Sequence, residues 1–298
     1  MKRIDLKTGF GCNNNCRFCA QGHKKKFGDK TTAELKGYLS QAAREGYKAV
    51  VFTGGEPTIR PDIIELVSYA KELGFQQIQM QSNGRRFADL DFCKVVIAAG
   101  ANEFSPALHG PHARIHDFLT RSPGAFGQTT RGIRNLKKLD QMVFTNTVIT
   151  KINYRSLPSL AKLLVRLKVD QFQLAFVHPV GSAAENFETV VPRKLLVAPY
   201  VKKALDIGIN AGVRVMTEAI PYCLMAGYES YVAETKIPDT KVFDLDFVVE
   251  NFTEVRRAYG KLKDERCRRC RYDEQCEGPW KEYPEHFGWA EFQPIDKF

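Results

Sequence analysis

The sequence contains no long apolar run. None of its 298 residues falls in a stretch that approaches a membrane span, and the start, MKRIDLKTGF, lacks the apolar centre of a secretory signal. These absences exclude a membrane partner and lead us to expect a cytoplasmic protein. They also remove meaning from Asn251-Phe252-Thr253 as a glycosylation sequon, and they turn the eight cysteines away from disulfides and towards metal. The basic runs His23-Lys24-Lys25-Lys26 and Arg266, Arg268, Arg269 and Arg271 lack the interleaved aromatics of a base-stacking platform. Both abut cysteines. They read as solvated faces and as charge beside an anionic cluster, with a nucleic-acid surface the less favoured reading of the formal net charge of +10.

What is present is ample for a core: 44% of the residues are hydrophobic. The length allows one large domain, or one domain with an appendage. Strand-like segments fall at 4–6, 49–53, 77–81, 103–108, 142–149, 171–177 and 213–217. Helical spacings of three and four lie between them: Leu35/Leu39/Ala42, Ile63/Val67/Ala70, Ile133/Leu136/Leu139, Leu157/Leu160/Leu164/Leu167 and Leu196/Tyr200/Ala204/Ile207. Such alternation predicts an α/β fold, a parallel sheet with helices packed outside it, and a barrel or most of one. Active groups then belong at the C-terminal ends of the strands. Cys93, on an apolar helical face, reads as a small core residue.

The chemistry is concentrated in the cysteines. Cys12, Cys16 and Cys19 follow the first strand as CNNNCRFC. Three thiolates can hold three irons of a [4Fe–4S] cube, which is normally held by four, and this segment supplies no fourth cysteine. His23, four residues on, leaves a Cys3His zinc site open on ligand chemistry. After the strand at 49–53 comes Gly54-Gly55-Glu56-Pro57. Its glycines let backbone approach a ligand closely, and Glu56 is placed to accept from an ammonium.

CNNNCRFC resembles the CxxxCxΦC signature of the radical S-adenosylmethionine superfamily, with Phe18 as the aromatic residue, and Gly54–Pro57 resembles that family's GGEP motif. The resemblance implies a partial (β/α)6 TIM-like barrel. It implies S-adenosylmethionine chelated at the open iron, with its methionine amino group at the edge of the second strand. It implies reductive cleavage to a 5′-deoxyadenosyl radical that takes a hydrogen atom from substrate. Asn83, in Gln81-Ser82-Asn83-Gly84, and Ser105 are then expected as ligand contacts, Asn146 and Asn153 near the adenosine ribose, and His178 near adenine or substrate. The stretch His116-Asp117 through Arg121, Gly124 and Phe126 is similar to a run that follows the fourth strand in many members.

Beyond residue 217 the rhythm of strands and helices stops. Cys223 is followed by Cys267-x-x-Cys270-x5-Cys276. Four cysteines suit a closed cube or a structural zinc. The set resembles the auxiliary-cluster appendages called SPASM and twitch domains, although Trp280 stands where a full SPASM pattern carries a further cysteine. We therefore expect a barrel at 1–217 and a small irregular cluster-binding domain at 218–298, two [4Fe–4S] clusters in all, and an aromatic tail at 278–289 packed as a cap. The molybdenum-cofactor member of the family usually ends in Gly-Gly, whereas this chain ends Asp296-Lys297-Phe298, and a first strand starting near Ile4 leaves no fused leader-recognition domain expected. The resemblance implies hydrogen abstraction from a small-molecule or peptide substrate. The auxiliary cluster would relay an electron, for net oxidation or a cross-link, and the reductant would be of flavodoxin or ferredoxin type. An RNA-modifying radical enzyme and a non-catalytic zinc or iron–sulfur protein are the alternatives.

Overall fold

A computed structural model describes residues 2–245 and 247–296. Lys297 and Phe298, at the chain end discussed above, lie outside the described residues. Among the described residues, nine strands form one open sheet in the order β7-β6-β5-β4-β3-β2-β1-β8-β9. The strands are β1 (Arg3–Lys7), β2 (Ala49–Thr53), β3 (Gln77–Ser82), β4 (Glu103–Pro106), β5 (Met142–Ile149), β6 (Gln171–Phe176), β7 (Arg214–Glu218), β8 (Thr240–Phe243) and β9 (Val248–Val249). Every pairing is parallel except that of β8 with β9. The main helices are α1 (Thr32–Arg44), α2 (Ile63–Glu72), α3 (Leu90–Ala99), α4 (Ala113–Thr120), α5 (Ala125–Lys138) and α6 (Leu157–Arg166). Two four-residue turns, α7 (Ser182–Glu185) and α8 (Phe187–Val190), precede the long α9 (Lys194–Asn210), and α10 (Phe252–Val255) and α11 (Glu282–Phe287) lie in the C-terminal part. The first six strands and their helices make the expected partial barrel.

The strands carry two different faces. Ile4, Leu6, Ile78, Met80, Phe104, Phe172 and Leu174 are buried in the core shared with the helices. The alternate positions are polar: Arg3, Asp5 and Lys7 on β1, Gln79 on β3, Glu103 and Ser105 on β4, Asn146 on β5, Gln173 on β6 and Glu218 on β7. A parallel sheet buried on both faces reads as continuous apolar runs. Of the strands from β1 to β7, β2, AVVFT, is the one buried at every position; β8, at the edge beyond β1, is buried throughout as well. The polar face is the barrel lumen. Lys7 donates to Asp5 at 2.8 Å, and Gln79 to Glu103 at 3.3 Å. Burial raises the pKa of Glu103, opposed by the charges of Arg3 and Arg214, so β1 and β7 both face β4 across the lumen.

Three details differ from expectation. First, regular β4 ends at Pro106, which has no amide proton for the ladder, and pairing beyond it continues only as an isolated bridge of Ala107 with Asn146. Second, the buried face of α9 is Val197, Val201, Ala204, Leu205 and Gly208, while Leu196 is 54% exposed. The expected stripe was thus rotated by one residue, about 100° of helix. Pro199 inside α9 and apolar residues on both faces left the periodicity ambiguous. Third, the chain returns to the sheet after β7: β8 pairs with β1 from Arg3↔Thr240 to Leu6↔Phe243. Thr240-Lys241-Val242-Phe243 is too short and too polar to signal a strand by itself. Cys93 is fully buried, and its thiol donates to Phe87 O at 3.2 Å.

Candidate active site

Cys12, Cys16 and Cys19 lie on the loop leaving the C-terminal end of β1, and all eight cysteines of the chain are free thiols. Four other parts of the molecule hold this loop by its backbone. The amides of Gly55 and Glu56 donate to Gly9 O and Gly11 O, both at 2.8 Å. The amides of Asn15 and Arg17 donate to Thr120 O at 3.0 Å and Leu119 O at 2.9 Å, at the end of α4. The Arg85 guanidinium donates to Asn13 O at 2.5 Å, and Ser182 N donates to Cys19 O at 2.9 Å. Phe18 is buried and meets His109 edge-on at 4.7 Å. Burial raises the pKa of all three thiols, and each of Cys12 and Cys16 is pushed further by neighbouring thiols. Three acidic donors crowded together and starved of solvent suit a cation-rich group that takes them as thiolates.

The Gly54–Pro57 turn lies directly under this loop. A Cβ at Gly54 would come within 2.2 Å of Gly9 O, and one at Gly55 within 2.1 Å of Gly11 O. Gly54 also has φ = +115°, so both glycines are demanded by close backbone approach. Pro57 opens the short helical turn that follows. Glu56, expected to accept from an ammonium, is largely engaged by protein donors. It is 2% exposed, and its Oε1 accepts from Thr58 N at 3.1 Å, Thr58 Oγ1 at 2.5 Å and Ser82 Oγ at 2.7 Å, while Oε2 accepts from Asn83 N at 2.6 Å. Only the remaining lone pair of Oε2 is left for an ammonium. Burial raises its pKa and these hydrogen bonds oppose the rise. Its carboxylate ties the ends of β2 and β3 together.

Asn83 is part of the same constellation. Its Nδ2 donates to Asn13 Oδ1 at 2.6 Å and lies 4.0 Å from Cys12 Sγ. Ser105 faces the lumen, and its hydroxyl donates to Phe144 O at 2.8 Å. Asn146 also faces the lumen, and its buried Oδ1 has no hydrogen-bond partner among the described residues. Asn153 is different: its amide donates to His109 O and Val148 O, and its oxygen accepts from Thr150, so the whole side chain is spent on structure. His178 lies against the C-terminal tail, stacked on Trp280 at 3.8 Å. The His116–Phe126 run is a platform. Asp117 accepts from Gly124 N and Phe126 N at 2.8 and 2.7 Å, while Arg121 and Gly124 take left-handed backbone. His116 and His109 stack at 5.6 Å under Phe18, and burial lowers the pKa of His116 to about 4.

The second cysteine set is brought together from two segments. Cys223 follows β7, and Cys267, Cys270 and Cys276 come from the irregular region before α11. All four line one small cavity of about 30 Å³, walled otherwise by groups that include Pro221, Pro279, Trp289 and Phe292. Burial and the three other thiols push Cys223 up to about 12. Trp289 and Phe292 thus form part of a cap, as expected of the tail, while Trp280 packs on His178. Among the described residues, no three His, Cys, Asp or Glu side chains converge on a point that one ion could occupy.

Sequence reasoning named Ser105 and Asn146 but missed the charged and glutamine side chains of the lumen, and it missed Arg85, Leu119 and Thr120 among the residues that hold the loop. The signal was present in RIDLK, QIQMQ and QFQL, whose strict alternation of polar and apolar residues marks a sheet with one polar face. Arg85, Leu119 and Thr120 carried no such signal.

An open parallel barrel with three cysteines at the mouth of its first strand is the architecture of a cluster-dependent radical enzyme. The Radical SAM superfamily matches residues 6–164, and the chain belongs to that superfamily. An AdoMet-dependent heme synthase of Methanosarcina barkeri is 31% identical over 180 residues, covering 60% of this chain and 51% of that protein. The PqqA peptide cyclase of Rhodopseudomonas palustris is 29% identical over 193 residues, covering 63% of this chain and 50% of that protein. The chain therefore spans about half the length of these curated relatives. Among solved structures, Streptococcus suis SuiB bound to precursor peptide SuiA aligns with a TM-score of 0.67 at 15% identity, over 88% of this chain and 61% of that one. Native anSMEcpe with bound AdoMet and a peptide aligns with a TM-score of 0.58 at 17% identity, over 72% and 63%. At these identities the structural likenesses establish the fold.

Proposed function

We propose that the chain is a radical S-adenosylmethionine enzyme with two [4Fe–4S] clusters, acting on a small-molecule or peptide substrate in the cytoplasm. Among the described residues no helix is long and apolar enough to cross a membrane. When bound, the clusters and S-adenosylmethionine supply reductive cleavage of the sulfonium, abstraction of a substrate hydrogen by the 5′-deoxyadenosyl radical, and removal of a second electron for net oxidation or a cross-link. Cys12, Cys16 and Cys19 would hold the first cluster, and Cys223, Cys267, Cys270 and Cys276 the second.

The observation that carries this reading is the placement of the three-thiol loop over the mouth of a polar lumen, in backbone contact with Gly54–Glu56. Gly54 and Gly55 keep side chains away from the strand edge where a methionine moiety would lie. Asn83, Ser105 and Asn146 offer amide and hydroxyl groups to its ribose and adenine, and the unpartnered Oδ1 of Asn146 is the clearest vacant acceptor. Phe18 and the His109–His116 stack close the loop from beneath and keep water out. Arg17, Arg114 and Arg121 flank the half-exposed Phe118 beside the loop, a basic and apolar face that suits an acidic flavodoxin- or ferredoxin-type reductant. The relatives' names, a heme synthase and a peptide cyclase, support substrates of either kind. The residues 218–298 would form the auxiliary-cluster domain, with β8 and β9 lending it a seam along the barrel.

The test is anaerobic reconstitution followed by iron and sulfide counting and a 5′-deoxyadenosine assay with dithionite and S-adenosylmethionine. Two clusters correspond to about eight irons per chain. A reconstituted protein that forms no 5′-deoxyadenosine above a no-enzyme control would overturn the proposal.

A further inference from the structure

The basic run at 23–26 forms a short helical turn, Gly22–Phe27, directly after the first cysteine loop. Its three lysines go to three different places. Lys24 is spent on Asp244, just past β8, with its ammonium 2.9 Å from Oδ1 and 2.8 Å from Oδ2. Lys26 lies over the Phe27 ring at 5.1 Å. Lys25 turns onto the cysteine loop, where its Nζ donates to Asn14 O at 2.8 Å and to Asn15 Oδ1 at 3.2 Å. Asn14 is buried between Cys12 and Cys16, and its own amide donates to Cys12 Sγ at 3.4 Å. Both acceptors of Lys25 are neutral, so neither cancels its charge. The pair of Lys24 with Asp244 ties the turn to the end of β8 and so limits where the Lys25 ammonium can go.

The charge of Lys25 reaches the whole set. Burial raises the pKa of Cys12, Cys16 and Cys19, and Lys25 opposes the rise in each; Glu56 acts the other way, on Cys12. Other cations meet the loop elsewhere, Arg17 over the Phe118 ring at 4.2 Å and Arg85 at Asn13 O. Lys25 is the cation that bears on all three thiols. A fixed positive charge that favours three thiolates also favours further negative charge among them, and the reduction that precedes sulfonium cleavage places one more electron there. The potential of a thiolate-held iron–sulfur group follows its net charge and surroundings. We propose that Lys25 sets the reduction potential of the group held by Cys12, Cys16 and Cys19, raising it so that a one-electron donor can load the site. Lys25 acts through the thiolates and is a positioning residue. The inference rests on the reading of the first set as a cluster site, and it names the side chain that makes that site reducible.

The experiment is a redox titration of the reconstituted full chain followed by electron paramagnetic resonance, with the signal of the first set assigned by its absence in Cys16→Ala. Lys25→Met is expected to make reduction about tenfold less favourable, a fall of about 59 mV for one electron. Lys25→Arg keeps the charge and should match the native chain. Lys25→Gln removes the charge but keeps a donor for Asn14 O, so it should fall as Lys25→Met does, and it decides the matter if Lys25→Met does not hold its iron. An unchanged potential in the two neutral variants overturns the inference, and so does a fall in Lys25→Arg equal to that in Lys25→Met. A fall in Lys25→Met with none in Lys25→Gln also overturns it, because the hydrogen bond and not the charge would then be the cause. The measurement does not depend on S-adenosylmethionine cleavage. Cleavage with an unchanged potential removes the role of Lys25 alone, and a shifted potential without cleavage removes the radical reading.

Discussion

The two cysteine sets are built in opposite ways. The first is local in sequence, three cysteines within residues 12–19, and is held by backbone hydrogen bonds from β2, α4 and the segment after β6. The second joins Cys223 to cysteines forty-odd residues further on, beyond β8, β9 and α10, around a cavity shared with proline and aromatic side chains. A set of three on the lip of a polar lumen leaves an approach for substrate and cofactor. The set of four shares a small cavity with Pro221, Pro279, Trp289 and Phe292, with Lys263 and Asp273 also in its lining. Backbone-held geometry tolerates changes in side chains nearby. The second set depends on side-chain pairs such as Arg256 with Glu277, adjacent to Cys276, bonded twice at 2.7 Å and each 1% exposed.

The comparison predicts effects of decreasing size. Cys16→Ala should reduce 5′-deoxyadenosine formation to background, a loss of about 10³-fold or more by chromatographic assay, with about four irons lost per chain. Retention of cleavage would mean that the first set is not the radical generator. Cys270→Ala should also lose about four irons, yet spare uncoupled cleavage while stopping product formation; intact turnover would remove the second set from the electron path. Arg256→Met should destabilise the protein by about 3 kcal/mol in denaturant titration, because it leaves Glu277 buried with only the half-exposed Arg257 at 3.3 Å.

A pH prediction separates the two regions further. His116, beneath the first loop, has its pKa lowered from 6.5 to about 4 by burial. The unfolded chain therefore binds a proton that the folded chain refuses, and its contribution to stability is present above about pH 6.5 and lost as pH falls towards 4. The difference is worth about 3 kcal/mol. In the cluster-free protein, stability should fall more steeply over that window than in His116→Phe, as followed by circular dichroism. Equal slopes would show that His116 is not held neutral by the fold. The smallest effect concerns Lys194, whose pKa burial pushes well below its usual value. The stability of the native protein relative to Lys194→Met, followed by denaturant titration at each pH, should rise as pH is raised from 7 towards 10.5.

Much of this was legible beforehand because the relevant signals are short-range. The first cysteine set, the glycine pair at 54–55 and the alternation of strands with helices each lie within a few residues of chain. The buried face of α9 was misjudged because apolar residues on both sides of that helix leave the choice to its neighbours. Glu56 was read as a ligand's acceptor because sequence shows a carboxylate after two glycines and not the Ser82 and Asn83 donors that arrive from the next strand. Asn146 and Asn153 looked equivalent in sequence, and packing separated them: one oxygen is vacant in the lumen, and the other amide is fully spent on Thr150, Val148 and His109.

By itself the chain dictates which residues carry the chemistry, since the spacing of thiols and glycines within one loop is a covalent property. Only the tertiary structure decides what those residues face. Bringing Cys223 beside Cys276, Trp280 onto His178 and Lys261 against Glu234 requires contacts across tens of residues. Such contacts depend on how the sheet curls and on where the chain after β7 returns to β1, and no local pattern of side chains encodes that path.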